Sequence, residues 1–132
     1  MKLFLTLVLS TLAHMLCAQM AGPKQVMDTI YTRPEVLASY PGGEKAWKQY
    51  VKKNMKYPRK AWWDEVETEV TVKVIVNNDG TIADAVHMNV SNYGFEQEAV
   101  RLVKKSGRWL PATHGGRPVK SEGMLTIEFR LK

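Results

Sequence analysis

Residues 70–90 constrain the fold more than any other stretch. Val70, Val72, Val74 and Val76 alternate with Thr71, Lys73 and Ile75, and a two-residue period sends successive side chains to opposite faces of a strand. Asn78, Asp79 and Gly80 break the run. Ile82, Val86, Met88 and Val90 then share one parity, with Ala83, Ala85 and His87 on the other. Two strands joined through Asn-Asp-Gly form the pattern of a β-hairpin.

Register selects the loop. A two-residue Asp79-Gly80 loop would set Val76 opposite Ala83 and Val72 opposite His87. A three-residue loop over 78–80, closing on glycine in the left-handed region, sets Val76 against Ile82, Val72 against Val86 and Val70 against Met88. The second keeps apolar residues together and is the expected one. It leaves Asp84 opposite Val74. The strand is therefore expected to bend there or to hold Asp84 at the sheet margin, because an unpaired buried carboxylate is costly.

The remaining elements follow from spacing. Tyr40-Pro41-Gly42-Gly43 is a turn, and residues 44–54 read as a helix. Its apolar stripe is Ala46, Trp47, Tyr50, Val51 and Met55, and Lys45, Lys48, Lys52 and Lys56 form a separate basic ridge. The helix ends before Pro58. Residues 59–69 connect to the hairpin and carry Trp62-Trp63, of which one is expected to pack, as a cap over the end of the sheet, and the other to stay partly exposed. A second helix runs from about Phe95 to Ser106, with Phe95, Ala99, Leu102 and Val103 on one stripe and Gly107 as its stop. Trp109 is expected in the core against that helix. After a turn at residues 113–118, residues 124–132 alternate again and form a third strand. The fold class that results is α+β, two helices packed on one face of a three-stranded antiparallel sheet.

The N-terminus stands apart from this pattern. Lys2 followed by an apolar run over residues 3–16 and by Leu16-Cys17-Ala18 reads as a secretory signal cleaved after Ala18. A retained membrane anchor, a lipoprotein signal ending at Cys17 and an N-terminal helix are the competing readings. The expected organisation is a signal over 1–18, a linker with a short strand over 19–39 and one domain over 40–132. Cys17 is the one cysteine of the chain, so the exported domain is expected to be held by its core without disulfides. The formal charge of +6 permits an anionic partner without choosing one.

The residues offer little catalytic chemistry. With His14 in the signal, His87 and His114 are the histidines left for a metal, and neither has a cysteine to join it. His114-Gly115-Gly116 does not open a helix and cannot cradle a phosphate as a glycine-rich loop does. No catalytic residue, metal or cofactor is expected, and the chain is read as not an enzyme. The basic ridge lacks the interleaved aromatics of a single-strand nucleic-acid platform, which leaves nucleic acid or another anionic surface as the outside reading.

Several ordered motifs bring a family into view. They are Y-P-G-G-E-K-A-W from Tyr40, K-N-M-K-Y-P from Lys53, V-x-V-x-V-I-V-N-N-D-G from Val70 and F-E-Q-E-A-V from Phe95. W-L-P-A from Trp109, G-G-R-P-V from Gly115 and a closing I-E-F-R-L complete the series. In this order and spacing, residues 40–131 resemble the C-terminal domain of the TonB energy-transducer family, most closely its Bacteroidetes form. The resemblance implies a non-enzymatic periplasmic module. It receives an extended segment of an outer-membrane receptor or other envelope protein as an added strand, in support of TonB-dependent transport. The residues it implies for that role are Met124, Thr126, Glu128 and Arg130 on the last strand, with Arg117 and Lys120 on the approach. The residues themselves add Trp62 and Trp63 as exposed aromatic contacts. Family transducers reach the envelope through a membrane helix and a long proline-rich segment. Here residues 19–39 span about 3.3 to 3.6 Å each when extended. A soluble periplasmic binder is the first reading and a membrane-anchored short transducer the second.

Overall fold

The computed structural model describes residues 29–132; the expected signal and the first part of the linker lie outside the described residues. In chain order the elements are α1 (Gly43–Asn54), α2 (Arg59–Trp63), β1 (Thr68–Val76), β2 (Ile82–His87), α3 (Phe95–Lys104), β3 (Ala112–His114), β4 (Arg117–Val119) and β5 (Ser121–Phe129). A three-stranded antiparallel sheet has the order β2-β1-β5, and β3 and β4 form a small hairpin of their own. This is the expected α+β arrangement of helices against a small antiparallel sheet.

The alternation in β1 is realised throughout: Val70, Val72, Val74 and Val76 are buried, and the residues between them are half-buried. The turn is the three-residue loop over 78–80. Asn77 donates its N–H to the Thr81 carbonyl at 2.8 Å, Gly80 donates to Asn77 at 2.9 Å, and Gly80 has φ 87°. Asp79 accepts the Thr81 hydroxyl at 2.6 Å and the Thr81 N–H at 3.0 Å. Those bonds hold its carboxyl below the ordinary carboxylate range.

Val76 pairs with Ile82 as the sequence suggests, but the register then slips. Ile75 faces Asp84, Val74 faces Ala85 and Val72 faces His87, so the expected Val72–Val86 and Val70–Met88 pairs do not form. Ala83 is the extra residue of a β-bulge. The bulge exchanges parity along β2. Asp84 goes to the solvent side, where it accepts the Ala85 N–H at 2.8 Å, and Ala85 turns into the core at 4% exposure. Val86, Met88 and Val90 are left exposed. A small core-facing residue at 85 suits the close approach of α3, which packs on β1 and β2.

α3 buries the predicted stripe of Phe95, Ala99, Leu102 and Val103. It also buries Glu96 and Glu98, which spacing alone did not indicate. Glu96 accepts the Ser91 N–H. Glu98 accepts the Lys56 N–H at 2.9 Å and pairs with Arg101, whose guanidinium also reaches the Asn54 carbonyl at 2.9 Å. The Tyr50 hydroxyl donates to the Leu102 carbonyl at 2.7 Å. Polar bonds thus clasp the end of α1 to α3, while α1 itself contains no fully buried residue.

Two further elements differ from expectation. The connector after Pro58 forms the single helical turn α2, whose Ala61 is fully buried while Trp62 and Trp63 are both exposed. Successive helical residues are about 100° apart, so turning Ala61 inward carries both indoles out, and neither packs as a cap. The last strand begins at Ser121 and ends at Phe129, earlier than the expected 124–132. Its core-facing start, Ser121 and Gly123, has no apolar side chain to show the alternation. At its far end the Leu131 N–H turns away to the Glu67 carboxylate at 2.7 Å. Phe129 closes the core against Phe95, with ring centroids 4.8 Å apart. Trp109 is half-buried at the end of α3, donating its indole N–H to the Ser106 hydroxyl at 2.8 Å and meeting Trp47 and Tyr40 edge-on.

Candidate protein-binding edge

β5 pairs with β1 on one side only. Along a strand, N–H and C=O groups of one parity point to the same side. The Glu122 N–H donates to Tyr31 at 2.9 Å, and the Tyr31 N–H donates to the Lys120 carbonyl at 2.8 Å. Even-numbered residues of β5 therefore turn their backbone outward, and odd-numbered residues turn it toward β1. Past Glu122, among the described residues, no backbone hydrogen bond reaches the outward groups of Met124, Thr126 and Glu128. An open row of this kind is a template for another strand.

The start of this edge is met by an earlier part of the chain. A strap formed by residues 29–39 comes from the other end of the sequence. Tyr31 bridges Ser121 in parallel sense, Val36 bridges Thr113 and Ser39 bridges Leu110. The Tyr31 ring rests on His114, with centroids 4.9 Å apart. The strap covers the first outward positions of the edge and no more.

Beside the remaining edge lies a groove of about 810 Å³ between α1 and β5. Leu125 and Ile127 belong to its floor, and Trp47 and Val51 of α1, with Met55 just past its end, line its wall. Of the stripe that the sequence assigns to helix packing, Trp47, Val51 and Met55 are half-buried against the core and also line this open groove. Its rim carries Lys48, Lys52, Glu128, Arg130 and Lys132. Lys48 is paired with Glu44 at 2.9 Å, which raises the lysine pKa and lowers that of the glutamate through the shared hydrogen bond and charge. Tyr57, at the far end of the groove, donates its hydroxyl to the Val66 carbonyl at 2.6 Å, and burial pushes its pKa up.

The residues singled out in the sequence fall into three groups. Met124, Thr126 and Glu128 stand together on the open edge. Arg130 lies just past the strand and is tied to Glu69 at 2.6 Å. Arg117 belongs to β4, at the strap end, and the Lys120 carbonyl is already used by Tyr31. Trp62 borders the groove; Trp63 is its edge-to-face neighbour at 5.0 Å, 75% exposed. Tyr31, Trp47, Val51 and Met55 were not read as parts of a site. For the last three the signal is the apolar stripe of the first helix, and for Tyr31 it is the short strand expected within residues 19–39.

Among the described residues, no group of three or more His, Cys, Asp or Glu could hold a metal ion, and no helix is long and apolar enough to cross a membrane. No curated protein matches the chain. Residues 53–131 match the family described as Gram-negative bacterial TonB protein C-terminal.

Proposed function

Because the chain belongs to the TonB C-terminal family, a family of non-enzymatic, protein-binding periplasmic domains, we propose that it captures an extended segment of an outer-membrane receptor or other envelope protein. The segment adds to the β5 edge and thereby assists TonB-dependent transport. One observation carries this reading: the outward backbone groups of Met124, Thr126 and Glu128 lie beside an apolar groove that α1 leaves uncovered. Main-chain bonds along the edge supply affinity, and alternate side chains of the incoming strand enter the groove.

Single side-chain changes at Thr126 or Glu128 are expected to weaken binding only mildly, since the backbone makes the ladder. Thr126→Pro removes an outward N–H from the middle of the row. Peptides copying N-terminal segments of outer-membrane receptors, titrated calorimetrically, are expected to bind the parent at least about tenfold tighter than the proline variant, roughly 1.4 kcal/mol. Circular dichroism establishes that the variant is folded. Equal affinity would remove this edge as the site and turn attention to Trp62 and Trp63. The proposal includes export with cleavage after Ala18. The intact mass of native protein is expected to correspond to a chain starting at Gln19, and retention of residues 1–18 would contradict it.

A further inference from the structure

The groove along β5 does not end where α1 ends. A second cavity of about 390 Å³ continues it toward the strap and shares Leu125 with it. Its walls include Leu37 and Ala38 of the strap, Val74 and Val76 of β1, and Trp109. Gly123 lines it on the core-facing parity of β5, between Ser121 and Leu125. This glycine has no positive φ, and a Cβ built on it would have nothing within 4 Å. Neither backbone conformation nor crowding calls for glycine here, and glycine weakens a strand. Its consequence in this fold is open space beside the sheet edge.

Resting on the strand-addition reading, we infer that this space is an anchor pocket for one bulky apolar side chain of the bound segment, and that Gly123 sets the selectivity. The strap shows how the edge is completed. Tyr31 adds to β5 as a parallel strand residue at Ser121. The strap then bends at Thr32 and Arg33, just ahead of Pro34, which has no N–H to give. The next position along the edge, beside Gly123, is left without a neighbouring strand.

Directly opposed residues of adjacent strands point to the same face. Partner residues opposite Gly123, Leu125 and Ile127 therefore face the helical side, and those opposite Met124, Thr126 and Glu128 face solvent. Opposite Leu125 and Ile127, the β5 side chains already fill part of the space. Opposite Gly123 nothing does, and a closed apolar cavity of about 150 Å³ is already large enough for benzene. The partner is thus an extended segment with apolar residues at alternate positions. The largest of them, aromatic or long aliphatic, stands at the end that meets Tyr31.

Selection of a displayed library of short random linear peptides on the protein tests this. Parallel selections use Gly123→Phe, which fills the pocket from within, and Thr126→Pro, which breaks the ladder. The parent is expected to enrich alternating apolar sequences with a bulky residue at one end position. Gly123→Phe is expected to shift that position alone to small residues, and to bind the parent's best peptide roughly 10- to 100-fold more weakly. An unchanged bulky preference in Gly123→Phe, together with loss of binding in Thr126→Pro, would overturn the anchor pocket and leave strand addition standing. Peptides that bind Thr126→Pro as well as the parent, or no enrichment by the parent at all, would overturn strand addition and the pocket with it.

Discussion

Replacing Gly80 by alanine is expected to lower stability by roughly 2 to 5 kcal/mol, a large share of what a domain of this size has. Two costs combine at that residue. Its φ of 87° places an L side chain in the left-handed region, at about 1 to 2 kcal/mol. The added Cβ would also fall on the carbonyl oxygen of Trp109, and overpacking of a filled site costs typically about 1 to 3 kcal/mol. The Cβ is fixed by the main chain and the atom it meets is backbone, so no side-chain rotation relieves the contact. Gly80 also accepts the Trp109 N–H at 2.8 Å, and shifting the hairpin loop to make room pulls on the segment that seats Trp109 among Tyr40 and Trp47. A urea melt measures the effect. A loss under about 1 kcal/mol would mean that the loop and the Trp109 segment are not held together as described.

What could be read from the residues depended on whether a period carried it. The β1 valines and the α3 stripe repeat at the spacing of their elements, and both emerged as expected. β2 departs in detail from its expected register because its hydrophobicity and its burial lie on different parities. Val86, Met88 and Val90 carry the apolar character, but the bulge at Ala83 gives the core position to Ala85. α2 has too few residues to show a period at all. The buried Glu96 and Glu98 depend on partners at Ser91 and Lys56 that only the folded chain brings within reach.

The candidate site was legible in part for a related reason. Met124, Thr126 and Glu128 were named from the family resemblance, and parity in the folded sheet gives them a common outward direction. The groove was not legible. An apolar stripe on α1 looks the same in sequence whether it is covered by its own chain or awaits another. Here the helix is clasped to α3 by Tyr50, Glu98 and Arg101, which holds Trp47, Val51 and Met55 over the β5 edge without closing on it. A short strand is expected within residues 19–39, but its place beside Ser121 was not legible, since Tyr31 and Ser121 are far apart in sequence and pair through backbone groups.

Strand addition makes an amide-by-amide prediction that no contact through the exposed tryptophans would reproduce. In the unbound protein the outward N–H groups of Met124, Thr126 and Glu128 face an open edge, whereas those of Gly123, Leu125 and Ile127 point into the ladder with β1. Hydrogen exchange followed by nuclear magnetic resonance, before and after adding a saturating amount of the best-selected peptide, reads each of these amides separately. The expected result is fast exchange at 124, 126 and 128 in the free protein, strong protection of these three in the complex, and little change at 123, 125 and 127. Unchanged fast exchange at Met124, Thr126 and Glu128 in a saturated complex, with shifts confined to the Trp62 and Trp63 indoles, would contradict the account.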